Sequence, residues 1–200
     1  MPATLAEPAL LSFEDFLEQY DGVRCEWVDG KVELMSPVSN LHQKIDVFLL
    51  TLINFYVVKH DLGTVYNQTF LMRLPSRRSG REPDILFVAK VREHLIRDNF
   101  FDGAGDFVVE IISPESVERD RFTKFAEYEA AGIGEYWIID GWKKEILFYQ
   151  LDETGRYQQI SPKADGVYRS KMLPGFWINV AWLWESPLPL LKASKKLRLP

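Results

Sequence analysis

The spacing of apolar positions changes period along the chain, and each period predicts an element. Ser12-Phe13-Glu14-Asp15-Phe16-Leu17-Glu18-Gln19-Tyr20 reads as a short helix with Ser12 as N-cap and acids in its first turn. Cys25-Glu26-Trp27-Val28 and Lys31-Val32-Glu33-Leu34-Met35 flank Asp29-Gly30, a two-residue hairpin turn. Over residues 41–59, Ile45, Leu49, Leu52, Ile53 and Tyr56 recur at helical spacing. Residues 63–74 read as one strand, 75–80 as a turn and 84–88 as the next strand. Residues 91–105 read as a loop with a helical turn. The run Phe107-Val108-Val109-Glu110-Ile111-Ile112 is almost continuously apolar, the pattern of a strand buried on both faces. A helix over 117–131 stops at Gly132. Two strands follow at 136–140 and 145–149, short strands at 157–160 and 167–170, and a bend at Pro174-Gly175-Phe176.

This order predicts an α/β fold, a mixed sheet flanked by helices with an added N-terminal helix and hairpin. The unit over 107–140 predicts a right-handed crossover between parallel strands. One domain is expected over 1–200: helix and hairpin at 12–35, core at 40–150, C-terminal strands at 151–185. Residues 186–200, carrying Lys192, Lys195, Lys196 and Arg198, read as a loose tail.

Composition narrows the functional classes. With 46% hydrophobic and 14% aromatic residues, the chain reads as a packed globule rather than a disordered one. A net charge of -5 gives no global basic field, so a nucleic-acid partner would need a local basic surface. Cys25 is the only cysteine, which excludes an intrachain disulfide and a thiolate metal cluster. The first residues lack a secretory pattern, and no uninterrupted apolar stretch approaches the roughly 20 residues of a membrane span. A soluble cytoplasmic protein with no membrane partner is the expectation.

The candidate chemistry lies in three places. Glu110 puts a carboxylate inside an apolar strand, where an unpaired charge is penalised by several kcal/mol. Glu82-Pro83-Asp84-Ile85-Leu86-Phe87-Val88 repeats the theme, with Asp84 at the mouth of a strand. Neighbouring strands lie about 4.8 Å apart, so Asp84 and Glu110 can face one point if their strands are adjacent. Two carboxylates are hard oxygen ligands of the kind Mg²⁺ takes. Asp120 and Lys124 stand one helical turn apart. Lys124 can serve that site or simply form an i,i+4 ion pair with Asp120. Glu110 can equally sit in a structural salt bridge, and Asp84 can merely begin its strand.

Pro83-Asp84, Val109-Glu110-Ile111-Ile112-Ser113-Pro114, Asp120, Lys124, Tyr128 and Gly132-Ile133-Gly134-Glu135-Tyr136-Trp137-Ile138-Ile139-Asp140 resemble the Uma-type restriction endonucleases of the PD-(D/E)XK superfamily. The resemblance extends to Glu26-Trp27-Val28-Asp29-Gly30, His42 and Leu173-Pro174-Gly175-Phe176, nearly the whole chain. It implies a restriction-endonuclease-like core and a Mg²⁺- or Mn²⁺-dependent endonuclease acting on DNA. Asp84 and Glu110 would hold the metal. The superfamily's lysine usually stands two residues after the second acid. Here that position is Ile112, and Lys124 on the following helix matches the lysine that variants use instead.

Other residues leave alternatives open. His42 falls where superfamily members often carry an acid, and it can contact phosphate, relay a proton, touch metal or be an ordinary histidine. Glu26 is a structural acid or lines the site. Tyr128 packs or hydrogen-bonds near the lysine, and Asp140 reads as a turn residue. Arg77, Arg78 and Arg81, with Arg73, form a basic hairpin that would grip the DNA backbone, or a solvated turn. A homodimer suits the two-fold symmetry of duplex DNA. The competing functions are a nuclease-fold DNA-binding or regulatory protein that does not cut, and an interaction subunit using its tryptophans.

Overall fold

The structure is a computed structural model describing residues 10–199. Ser12 caps the first helix, α1 (Phe13–Gln19), by accepting from the Asp15 amide. Asp29 and Gly30, both at positive φ, close the hairpin of β1 (Cys25–Val28) and β2 (Lys31–Leu34). Then come α2 (Asn40–His60), β3 (Gly63–Asn67), β4 (Leu71–Leu74), β5 (Ser79–Arg81), β6 (Ile85–Ala89), β7 (Phe100–Asp102) and β8 (Phe107–Ile112). A π-turn over Arg119–Thr123 leads into α3 (Lys124–Ala131), which ends on Gly132 at positive φ. The chain continues through β9 (Glu135–Asp140), β10 (Glu145–Leu151), β11 (Tyr157–Gln159), β12 (Val167–Arg169), β13 (Trp177–Asn179) and α4 (Leu190–Lys196).

Two mixed sheets carry the architecture. The larger has six strands in the order β11-β10-β9-β8-β6-β3, and the smaller has five in the order β2-β1-β5-β4-β7. β8 and β9 are parallel and joined through α3, as expected, whereas β6 and β8 are antiparallel neighbours. β8 is buried along its whole length. Phe107, Val109 and Ile111 face the main core under α2, and Val108 and Ile112 face a second core covered by α3. Only Glu82-Pro83-Asp84 separates β5 of one sheet from β6 of the other. Pro83 suits this crossing, because it offers no amide to a ladder and holds the preceding residue extended.

Three expectations are corrected. Residues 63–74 are two strands in different sheets, because the chain turns after Asn67 and Phe70 bonds back to its carbonyl. Within 91–105, Phe100–Asp102 forms β7, parallel to β4. The tail over 186–200 is not loose where described. Leu190–Lys196 is helical, and Ala193 and Leu197 bury against the main core.

α2 is long and apolar enough, by length and composition alone, to cross a membrane. Its apolar stripe of Ile45, Leu49, Leu52, Ile53 and Val57 is packed in the core here. Two polar residues, His42 and Asp46, are buried on it as well.

Candidate active site

The junction of the two sheets gathers most of the buried charged side chains among the described residues. Ile85 pairs with Val109 in the antiparallel β6–β8 ladder, so Asp84 comes to stand beside Glu110. The Ile111 amide donates to Asp84 Oδ2 at 2.6 Å, which pins the aspartate against β8. His42 Nε2 lies 3.2 Å from the same oxygen, and the Gln68 amide donates to Oδ1. Gln68 is in turn held by Arg24.

Glu110 points to the α3 side of its strand. Its Oε1 accepts from Lys124 Nζ at 2.9 Å and from the Tyr128 hydroxyl at 2.8 Å. Its Oε2 accepts no hydrogen bond among the described residues. Lys124 is 1% exposed at its side chain and also meets Glu26 Oε1 at 2.9 Å and Asp120 Oδ1 at 3.7 Å. The π-turn before α3 turns both Asp120 and Lys124 inward; such turns recur at functional sites.

Glu26 reaches this cluster from the smaller sheet. Its Oε1 also accepts from the Glu82 amide at 3.1 Å, and its Oε2 accepts from Arg81 Nη1 at 2.8 Å. Arg81 forks onto Glu127 of α3 with bonds of 2.8 and 2.6 Å. Glu26, Arg81 and Glu127 thereby tie β1, β5 and α3 together around the lysine.

Burial and neighbouring charge set the protonation of these groups. Burial pushes the Glu110 carboxyl upward, with Asp120, Asp84 and Glu26 adding repulsion against the pull of Lys124. Burial also pushes Glu26 upward, but Lys124 and Arg81 outweigh it and hold the acid at about 2. Burial disfavours the Lys124 ammonium, yet Glu110, Glu26 and Asp120 more than offset it, so its pKa is raised and the amine stays charged. Burial and then Glu26 raise Glu82 to about 7, and burial and then Asp84 raise Asp46 to about 6. One oxygen of Glu82 and one of Asp46 are buried without a partner among the described residues.

The cluster opens to solvent through a cleft of about 100 Å³ lined by Arg24, His42, Glu82, Asp84, Glu110 and Arg119, among others. No group of three or more His, Cys, Asp or Glu side chains among the described residues forms a ready-made metal cage. The donor set nevertheless fits a hard divalent cation. The charge of Asp84 works against ionising Glu110 across one cleft, Glu110 keeps an oxygen free, and Mg²⁺ commonly takes one or two carboxylates and leaves its other positions to water and phosphate.

A family model described as "Putative restriction endonuclease", Uma2, matches residues 13–181. The chain belongs to the Uma2 family. No curated protein matches it. A solved structure titled as a putative nuclease of DUF820 from Anabaena variabilis is similar in fold, with a TM-score of 0.72 and 16% identity. The alignment covers 87% of this chain and 97% of that one.

Against this Uma2 fold the residues singled out in the sequence fall into two groups. Asp84, Glu110 and Lys124 are brought together, Lys124 through its contact with Glu110, and His42 joins them as a partner of Asp84. Asp140 is a turn residue, accepting from the Trp142 and Lys143 amides. Arg77 and Arg78 are exposed on the β4–β5 turn and do not line the cleft. Arg81 is a correction. It is 1% exposed, and its guanidinium is consumed by Glu26 and Glu127, so it is not a DNA contact. The roles of Arg81, Glu127, Gln68 and Arg24 were missed, because they depend on strand pairings between distant segments. The adjacency of Arg81 and Glu82 to Pro83-Asp84 was the one available signal.

Proposed function

We propose that this Uma2 nuclease is a metal-dependent endonuclease hydrolysing DNA phosphodiester bonds. The carrying observation is that Asp84, immediately before β6, and Glu110, on the adjacent β8, open into one cleft while Lys124 sits on Glu110. Asp84 and the free oxygen of Glu110 would hold Mg²⁺ or Mn²⁺. A bound divalent ion supplies Lewis acidity to the phosphoryl oxygen and makes water more acidic.

The chain's own residues do the rest. His42, Gln68 and the Ile111 amide orient Asp84. Tyr128 and Lys124 fix the rotamer of Glu110. Lys124, enclosed by carboxylates, acts as a cation that stabilises negative charge developing on the phosphate, rather than as a base. Arg77 and Arg78 lie outside the cleft and are exposed, so in this reading they would meet only flanking phosphates of a long duplex. Cutting both strands suits a pair of chains related by two-fold symmetry.

The test is nicking of supercoiled plasmid with Mg²⁺ or Mn²⁺. Wild type is expected to cut. Asp84→Ala is expected to lose at least two orders of magnitude while remaining folded, and Lys124→Met to lose as much in whatever fraction stays folded, since it strips the cation from buried Glu26 and Glu110. Undiminished cutting by both variants would remove the assignment.

A further inference from the structure

The cleft poses an electrostatic problem to its substrate. Glu82, Asp84, Glu110, Glu115 and Asp120 all line it, and a phosphodiester is itself an anion. Among the described residues, the permanent cations that line it are Arg24 and Arg119. They differ in what they are already doing. Arg24 is engaged: Nη1 donates to the Ser36 carbonyl at 3.1 Å and Nη2 to Gln68, the residue that holds Asp84. Its Nε is buried and has no hydrogen-bond partner among the described residues.

Arg119 is more loosely engaged. Its Nε makes a long contact to Asp120 at 3.4 Å, and its Nη1 a weak one to Met35 Sδ at 3.7 Å. Its Nη2 has no partner among the described residues. The side chain is 29% exposed, intermediate between the sealed Lys124 and a solvated surface arginine. The π-turn sets it directly before the inward-facing Asp120 and at the turn's far end from Lys124, whose amide donates to the Arg119 carbonyl. Its charge acts on Asp120, Glu26 and Glu110, so the guanidinium lies beside the catalytic acids rather than away from them.

The geometry points to Arg119 as the residue that binds the substrate phosphate in this cleft. The statement rests on the nuclease reading above for its substrate class. A planar guanidinium whose Nη2 is unspent, and whose Nε and Nη1 are held only by long contacts, suits capture of non-bridging phosphate oxygens in a way that a lysine does not reproduce. In that position it neutralises the phosphodiester at the mouth of an acidic cleft and adds to Lys124 the second cation that charge development requires. Arg77 and Arg78 then serve only phosphates farther along the duplex.

The experiment uses wild type, Arg119→Ala and Arg119→Lys in metal-free buffer. One arm follows fluorescence anisotropy of a labelled duplex oligonucleotide across a salt series. The other titrates inorganic phosphate by calorimetry. Arg119 makes one partly exposed ion pair, so both variants should melt with wild type. Arg119→Ala is expected to weaken the duplex on the order of tenfold and to reduce the slope of log affinity against log salt by about 0.9, one phosphate contact. It should also lose phosphate binding, with Arg119→Lys recovering part of the affinity but not the wild-type value. A merely structural arginine would leave the salt slope unmoved. Equal slopes, or phosphate binding that is absent in wild type or unchanged in Arg119→Ala, overturn the assignment. Phosphate binding lost in Arg119→Ala, in a wild type that never cuts DNA, supports the phosphate site while removing the nuclease reading.

Discussion

Lys124 Nζ lies 2.9 Å from Glu26 Oε1, the same distance at which it meets Glu110 on the opposite side. Glu26 belongs to the N-terminal hairpin and Glu110 to the central strand of the larger sheet. The lysine is therefore clamped between the two sheets, and the hairpin is part of the candidate site rather than an appendage.

That clamp gives the first prediction. Glu26→Gln keeps the shape but removes the charge that holds Lys124 and the Arg81 fork. It is expected to lower cutting at least tenfold, through kcat more than KM. Glu26→Ala leaves two buried cations undercompensated and should destabilise the fold by about 3–5 kcal/mol in urea unfolding. Wild-type kcat in a folded Glu26→Gln variant would separate the clamp from catalysis.

Arg81 gives a second prediction, opposite in kind to that for Arg119. Its guanidinium is sealed between Glu26 and Glu127. Arg81→Ala should cost about 3–5 kcal/mol of stability, the penalty for breaking a buried pair from one side. It should leave the salt slope of DNA binding unchanged in whatever fraction stays folded. A stable variant with a shallower salt slope would return Arg81 to the DNA surface.

Much of this site was legible in the chain, for a simple reason. A carboxylate within Phe107-Val108-Val109-Glu110-Ile111-Ile112 contradicts its surroundings, so Glu110 announces itself, and Asp84 follows from the strand beside it. The helix carrying Lys124 and the hairpin at Asp29-Gly30 were fixed by local pattern, and the structure keeps both. What stayed hidden depends on long-range pairing. Glu26 and Arg81 meet because β1 pairs with β5. No local period encodes that, so an arginine near other arginines read as a surface cluster. α4 was hidden differently: its lysines gave the pattern of a solvated tail, while Ala193 and Leu197 supply too little apolar signal to show a packed face.

Glu82 provides a prediction in pH. Its folded pKa, about 7, lies above that of an unfolded glutamate, near 4.5. A carboxyl raised in this way favours the native state when protonated. That contribution is complete below about pH 4.5 and is lost as pH rises through 7. Glu82→Gln mimics the protonated form, so its melting temperature should exceed wild type by a few degrees at pH 8 (roughly 2–4 °C per kcal/mol for a chain of this size). The gap should close below pH 4.5. A gap independent of pH would mean that the buried oxygen of Glu82 is not carrying the charge.

The central claim is that Asp84 and Glu110 together hold one divalent cation. Its most direct measurement is Mn²⁺ binding, by calorimetry or electron paramagnetic resonance, to wild type, Asp84→Asn and Glu110→Gln. One Mn²⁺ bound by wild type, and weakened at least tenfold by each substitution, is the expected result. Two folded variants that bind Mn²⁺ as wild type does, or a wild type that binds none, would contradict it.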